Sequence, residues 1–186
     1  MKVEELLLER NSHPRLTGDV PAAEVLDFLY QAALRAPDHG NLRPWRFVEF
    51  TGAGRERLGE LFCQGLLAKD PAAEEAVQKK RRMMPLRAPL VIAVVAKVVP
   101  DHAKVPVLEQ VISAGAAAQN IILAAHGKGL GAMWRTGDVA FDPVVAEGLG
   151  LAQDDQIVGF IYLGEIEGRQ KPIPEHNVDD FVQRWS

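Results

Sequence analysis

Cysteine is nearly missing from this sequence: Cys63 is the only one, so no disulfide can form within the chain. Long apolar runs are missing too, because the longest, Leu90–Val99, is interrupted by Lys97 and falls far short of the roughly 20 residues that span a membrane. Acidic residues exceed basic ones only by 25 to 21, which gives no reason to expect nucleic-acid or membrane binding. Met1–Arg10 alternates acidic and apolar residues, unlike the apolar core of a signal peptide. We therefore expect a cytoplasmic protein.

The motifs of common metal and nucleophile sites are also missing. The five histidines are scattered without cysteine partners, and neither HExxH nor GxSxG occurs, so we expect no metal site and no serine hydrolase. Gly127–Ala132 has the glycine spacing of a dinucleotide fingerprint, but it ends a helix and enters a strand, which is the reverse of the required order. Helix termination by glycine explains it better.

The patterns of apolar residues predict one α+β domain over residues 1–186, with a small antiparallel or mixed sheet wrapped by helices. We find no internal repeat or linker. Apolar residues at helical spacing predict helices over 2–9, 21–35, 53–68, 71–83 and 107–128. Strands are predicted over 45–51, 89–98 and 156–164, with a short strand or extended loop at 129–135. Asp138 is expected to cap a further helix that ends near Leu149.

The helix predicted over 107–128 is apolar on nearly every side, so we expect it to be buried nearly all round. Gly115 at its centre costs on the order of 1 kcal/mol relative to alanine, which suggests close approach of another backbone. A domain of this size can wrap such a helix only in part, which favours a subunit interface. An internal core helix is the alternative.

Lys79–Arg82 forms a short basic cluster. One interpretation is a solvated helix face. The other is a patch that attracts a phosphate of an incoming cofactor, and the sequence leaves both open.

Three segments are polar where structure alone does not require it. In Arg10–Ser12, a guanidinium and a hydroxyl two residues apart can both reach a phosphate, although a surface arginine and a capping serine are commoner. The segment 35–45 is stiffened by two prolines, and it presents donors from Arg35, His39 and Asn41, or else is simply a surface loop. Trp134–Gly137 supplies an aromatic ring, a cation and a hydroxyl.

Together, the arm at 10–12, the loop APDHGNLRPW and the segment GLGAMWRTG resemble the compact branch of the nitroreductase family. The resemblance extends in order over nearly the whole chain, including APLVIAVVAK and IVGFIYLGE. It implies an α+β fold in an interlocked homodimer with two FMN molecules at the interface.

The resemblance also implies roles for particular residues. Arg10, Asn11 and Ser12 would hold the FMN phosphate and ribityl chain. Arg35 and His39, contributed by the partner subunit, would face the flavin, and Trp134, Arg135 and Thr136 would complete the pocket. Asn11 departs from the family, because many relatives carry a second arginine there.

The implied activity is electron transfer from NADH or NADPH through FMN to a nitroaromatic or similarly electron-poor small molecule, with ping-pong kinetics. No side chain is needed as a general base, so no catalytic residue is assigned. The alternatives are reduction of a quinone, an enone or a flavin, a flavin-binding protein without catalysis, and a structural dimer without a cofactor.

Overall fold

The structure of the protein is a computed structural model that describes residues 1–169 and 171–185. The helices in this part of the chain are α1 (Val3–Leu8), α2 (Ala23–Ala33), α3 (Ala53–Lys69), α4 (Glu75–Arg82), α5 (Val107–Gly127) and α6 (Pro143–Gly148). The strands are β1 (Leu16–Thr17), β2 (Trp45–Phe50), β3 (Leu90–Ala96), β4 (Gly131–Arg135) and β5 (Gln156–Ile166). Short 3-10 turns lie at His39–Asn41, Pro85–Arg87, Asp138–Phe141 and Val178–Asp180.

The five strands form one sheet in which every pairing is antiparallel. β3 lies between β2 and β5, with Phe47 opposite Val94 and Ile92 opposite Ile161. β5 also pairs with β4 and, near its end, with the two residues of β1. The α+β class predicted from the sequence is confirmed, with an antiparallel sheet.

The central strand explains the apolar run at 90–96, because all seven of its residues are fully buried. Leu90, Ile92 and Val94 pack on one face of the sheet with α2 and α5. Val91 and Ala93 pack on the other face with α3 and α6. Each buried leucine, isoleucine or valine side chain contributes about 1.5–3 kcal/mol through burial, so this strand holds both layers of helices to the sheet.

α5 is the long helix that the sequence predicted, and it is apolar and long enough to cross a membrane by length and composition alone. Its inward face packs on the sheet and α2 through residues such as Ala117 and Ile121. Its outward face is open in the single chain, where Leu108 is 68% and Ile112 60% exposed. The helix is therefore not buried all round within one subunit, and burial of its outer face by a second chain stays a prediction.

The region after β4 differs from the expectation. Asp138 begins a 3-10 turn, and the helix that follows is capped by Asp142, whose Oδ1 accepts a hydrogen bond from the Val144 backbone N–H at 2.9 Å. Asp142 is buried, and Lys69 Nζ lies 2.8 Å from its other carboxylate oxygen. The buried Asp142 carboxylate, paired with the Val144 N–H and with Lys69, caps the N-terminus of the helix. The exposed Asp138 does not.

Candidate functional site

The polar segments singled out in the sequence lie along α5 rather than at one point. At its first turn, His39 Nδ1 lies 2.5 Å from Glu109 Oε2. Near its middle, a Cβ added at Gly115 would lie 3.9 Å from Trp134 Cη2. At its last residue, a Cβ added at Gly127 would lie 3.5 Å from Leu6, just before the arm at 10–12. With a rise of 1.5 Å per residue, the two ends are about 27 Å apart along the helix axis.

The loop that carries His39 is fixed by its own aspartate. The Asp38 carboxylate accepts hydrogen bonds from the backbone N–H groups of Leu42 at 3.2 Å and Arg43 at 2.7 Å. Gly40, Asn41 and Arg43 adopt φ angles of 76°, 53° and 50°. The left-handed region of backbone conformation is costly for a residue with a side chain, such as arginine. The hydrogen bonds to Asp38 hold the loop in this conformation despite that cost.

Arg35 lies just after α2 and its side chain is exposed. The end of α2 is held to α5 by Asn120 Nδ2, which donates to the Ala32 carbonyl at 3.0 Å. Arg35 therefore follows a point in the second half of α5, whereas His39 lies at its first turn. Both side chains point away from the core, where another molecule can reach them.

The arm at 10–12 is held from two sides. Asn11 Nδ2 donates to the Lys171 carbonyl at 2.9 Å, while the Asn11 side-chain oxygen accepts from the Ser12 backbone N–H at 2.9 Å. The backbone N–H of His13 donates to the Ala132 carbonyl of β4 at 3.0 Å. Asn11 thus uses its amide to fasten the tail after β5 to the arm.

A small cavity of about 130 Å³ opens between this arm and the tail. Its polar lining consists of one hydroxyl, one imidazole, three cations and one carboxylate, from Ser12, His13, Arg15, Arg169, Lys171 and Glu167. A hydroxyl and several cations around a small opening are the donor set that binds a phosphate group. Sequence reasoning missed the tail residues, because Lys171 meets Asn11 across 160 positions.

β4 directs its last side chains to opposite faces of the sheet. Trp134 packs in the core beside α5, and its Nε1 donates to the Val158 carbonyl at 3.3 Å. The Arg135 guanidinium lies 5.8 Å from the centre of the Tyr162 ring on the other face. Burial raises the pKa of Tyr162, and the nearby charges of Arg135 and Arg87 oppose that rise. Thr136 follows at the strand end and is exposed.

The loop after Thr136 is tied to α4 by a paired contact. Arg81 Nη1 and Nη2 donate to the two carboxylate oxygens of Asp138 at 2.8 and 2.5 Å. This contact lowers the pKa of Asp138 and raises the pKa of Arg81. Arg82 pairs with Glu60 in the same way, so half of the basic cluster at 79–82 is already neutralised. A solvated face with internal ion pairs describes this helix better than a free phosphate patch.

The structure therefore brings Arg10, Asn11 and Ser12 to the strand that carries Trp134. It places His39 at the opposite end of α5, and the helix that precedes Arg35 contacts α5 between the two ends. Within one chain, His39 is therefore separated from the arm by most of the length of α5.

The nitroreductase family model matches residues 7–165, and the chain belongs to that family of oxidoreductases. "Putative NAD(P)H nitroreductase YdjA" from Escherichia coli (strain K12) is 43% identical over 160 residues, which cover 86% of each chain.

Two solved structures support the same fold. A nitroreductase-like protein from Bacillus cereus superposes with a TM-score of 0.84 at 23% identity, over 100% of this chain and 96% of the other. The FMN-dependent nitroreductase NfnB from Mycobacterium smegmatis, in complex with NADPH, superposes with a TM-score of 0.72 at 18% identity. This match covers 98% of this chain and 97% of the other. At these identities the likeness shows the fold alone.

Proposed function

We propose that this protein is an FMN-dependent oxidoreductase that passes electrons from NADH or NADPH to nitroaromatic or similarly electron-poor small molecules. The observation that carries the proposal is the basic, phosphate-sized cavity at the arm of 10–12, beside the strand that ends in Trp134. The name of the Escherichia coli relative, a putative NAD(P)H nitroreductase, and the FMN-dependent neighbour from Mycobacterium smegmatis support it.

The residues at the arm fit flavin mononucleotide. Arg10, Ser12, Arg169 and Lys171 would hold the phosphate, because guanidinium and ammonium groups bind phosphate oxygens with charge-assisted hydrogen bonds. Asn11 would support the phosphate site indirectly, because its side-chain amide already holds the tail at Lys171. The chemistry that FMN would supply is electron transfer from a nicotinamide donor to an acceptor.

The remaining residues would orient and polarise the ring. Trp134, Arg135 and Thr136 would form one wall at the end of β4. The partner subunit's Arg35 and the partner subunit's His39 would close the other side, because within one chain His39 lies at the opposite end of α5 from the arm. A guanidinium next to a flavin ring stabilises negative charge there electrostatically.

Homodimer formation follows from the surfaces that a single chain leaves open. The outer face of α5 exposes Leu108 and Ile112, and the tail exposes Phe181 at 75% and Trp185 at 90%. Large apolar side chains left exposed on these two elements are typical of an interaction site. We propose that a second copy covers both surfaces, with the tail wrapped over the partner in the cytoplasmic enzyme.

A single binding face for donor and acceptor would give ping-pong kinetics, because the oxidised nicotinamide must leave before the acceptor enters. None of the described side chains needs to act as a general base. The positioned cations and the shape of the pocket would then govern the choice of acceptor.

The first experiment is an absorbance spectrum of the purified full-length protein, before and after addition of FMN and desalting. We expect the flavin bands at about one FMN per chain. Oxidation of NADPH or NADH is then followed with a nitroaromatic acceptor, with a quinone as the comparison.

A protein that binds no flavin would refute the proposal. Bound flavin without any NADH or NADPH consumption would indicate a flavin-binding protein without catalysis. Turnover with the quinone alone would replace nitroaromatic compounds by quinones as the acceptor class, and the assignment as a flavoenzyme would stand.

A further inference from the structure

His13 is a buried imidazole at the arm for which the family resemblance gives no role. It follows Ser12, it is 7% exposed, and its backbone is fixed to Ala132 of β4. Its side chain forms part of the wall of the small basic cavity. A titratable group in this place faces whatever occupies the cavity.

His126, on the last turn of α5, is a second imidazole close by. Its Nε2 is buried and has no hydrogen-bond partner among the residues that the structure describes. A buried polar atom without a partner is costly, so it usually marks a place where a ligand, an ion or water supplies the missing bond.

The groups around His13 are mostly positive. His126 faces it from α5, Arg10 from the arm and Lys171 from the tail, and all three affect its titration. Arg15, Arg169 and one carboxylate, Glu167, line the rest of the cavity. Without an anion in the cavity, these positive charges disfavour protonation of His13.

We propose that His13, supported by His126, is a phosphate-binding residue of the flavin site that takes up a proton as the phosphate binds. The proposal rests on the proposed function, because it assumes that FMN occupies this cavity.

The direction of the effect follows from linkage. Burial, followed by the charges of His126, Arg10 and Lys171, lowers the pKa of His13, so the imidazole is neutral at pH 7 in the free protein. A phosphate dianion reverses the local field and raises the pKa of His13. Binding then takes up a proton, and FMN affinity increases as the pH falls through the raised pKa.

The test measures the FMN dissociation constant by flavin fluorescence, on the full-length protein freed of flavin, between about pH 5.5 and 8.5. Wild type is compared with His13→Gln and His126→Gln, and with His176→Gln as a control in the exposed tail. The FMN phosphate itself titrates near pH 6, so the ratio of variant to wild type is taken at each pH.

We expect this ratio to change about tenfold across the range for His13→Gln, since one unit of pKa shift corresponds to a tenfold change in affinity. His126→Gln should reduce the pH dependence, and His176→Gln should not alter it. Riboflavin lacks the phosphate, so its affinity should show the same pH dependence in wild type and His13→Gln.

A constant ratio for His13→Gln would overturn the proposal, and so would an equal effect on riboflavin binding. If His13→Gln does not fold, the wild-type His13 resonance is titrated by NMR with and without FMN, and an unchanged pKa overturns it equally. Failure of wild type to bind FMN at every pH would instead overturn the proposed function itself.

Discussion

The packing of Trp134 against Gly159 makes a substitution at this glycine a direct test of the pocket wall. A Cβ at Gly159 would lie 2.1 Å from Trp134 Nε1, 2.7 Å from its Cδ1 and 3.0 Å from the Arg135 carbonyl oxygen. Nonbonded carbon atoms normally pack at about 3.5–4.0 Å, so the indole in Gly159→Ala has to move by more than an ångström.

The expected cost has two parts. Overpacking a well-packed core costs about 1–3 kcal/mol. The displaced indole also loses its hydrogen bond to the Val158 carbonyl, which contributes about 0.5–1.5 kcal/mol. We therefore expect Gly159→Ala to lower the free energy of unfolding by about 2–4 kcal/mol and to weaken FMN binding, because the end of β4 moves with Trp134.

The assay is urea unfolding followed by circular dichroism, in the wild-type background and in a Trp134→Val background. The second background removes the indole but keeps the Arg135 carbonyl oxygen at 3.0 Å and the φ of 158° at Gly159, so the cost of Gly159→Ala should fall by about 1–3 kcal/mol without vanishing. Gly54→Ala is the control, since its Cβ would meet only Arg57 Nη2 at 3.9 Å. An equal cost of Gly159→Ala in both backgrounds would show that the indole is not the cause.

Four further predictions use the same structure. Arg10→Ala should weaken FMN binding tenfold to a hundredfold without unfolding the protein, because a charge-assisted hydrogen bond contributes roughly 1.5–3 kcal/mol; fluorescence titration measures it. Ile112→Asp should yield a monomer in sedimentation, since a charge would lie in the apolar dimer face. Arg81→Gln and Asp138→Asn should show a coupling of about 0.5–1 kcal/mol in a double-mutant cycle of unfolding. As the pH falls from about 7.5 to 5.5, the flavin-free wild type should lose more free energy of unfolding than His13→Gln does. The pKa of His13 is lower in the folded chain than in the unfolded chain, so the unfolded chain takes up the proton first.

These predictions have separate controls. Val77→Asp, on a helix of the opposite sheet face, should leave the association state of the protein unchanged. Full flavin retention in Arg10→Ala would exclude its phosphate role, and a dimeric Ile112→Asp would place the interface elsewhere. Additive effects at Arg81 and Asp138 would mean that their contact does not hold the loop. Equal acid sensitivity of wild type and His13→Gln would mean that the pKa of His13 does not differ between the folded and the unfolded chain.

Elements with a strong apolar pattern could be predicted from the sequence. The run at 90–96 had to be a central strand, because a sheet covered on both faces is what buries consecutive valines and isoleucines. α5 ends at Gly127, as the glycine spacing after it indicated. The burial of Cys63 likewise matches its place in an apolar helical run.

Features that depend on tertiary contacts could not be predicted. The sequence pattern predicts the cap at Asp138, and the contact of the buried Asp142 carboxylate with Lys69, which folding creates, puts it four residues later. The same holds for the candidate site, because the contact of Asn11 with Lys171 joins the two ends of the chain. His13 and His126 carry no motif, and only folding brings the arm near enough to the last turn of α5 for the charge of His126 to act on His13.

The separation of the arm and the His39 loop by the length of α5 gives the proposed dimer a genetic property. If each flavin site takes its arm from one subunit and its loop from the other, a chain defective in Arg10 and a chain defective in His39 can complement each other. A mixed dimer then contains one site with both defects and one site with neither. Random association of equal amounts would restore about a quarter of all sites from two inactive proteins. A site built within one chain would restore none.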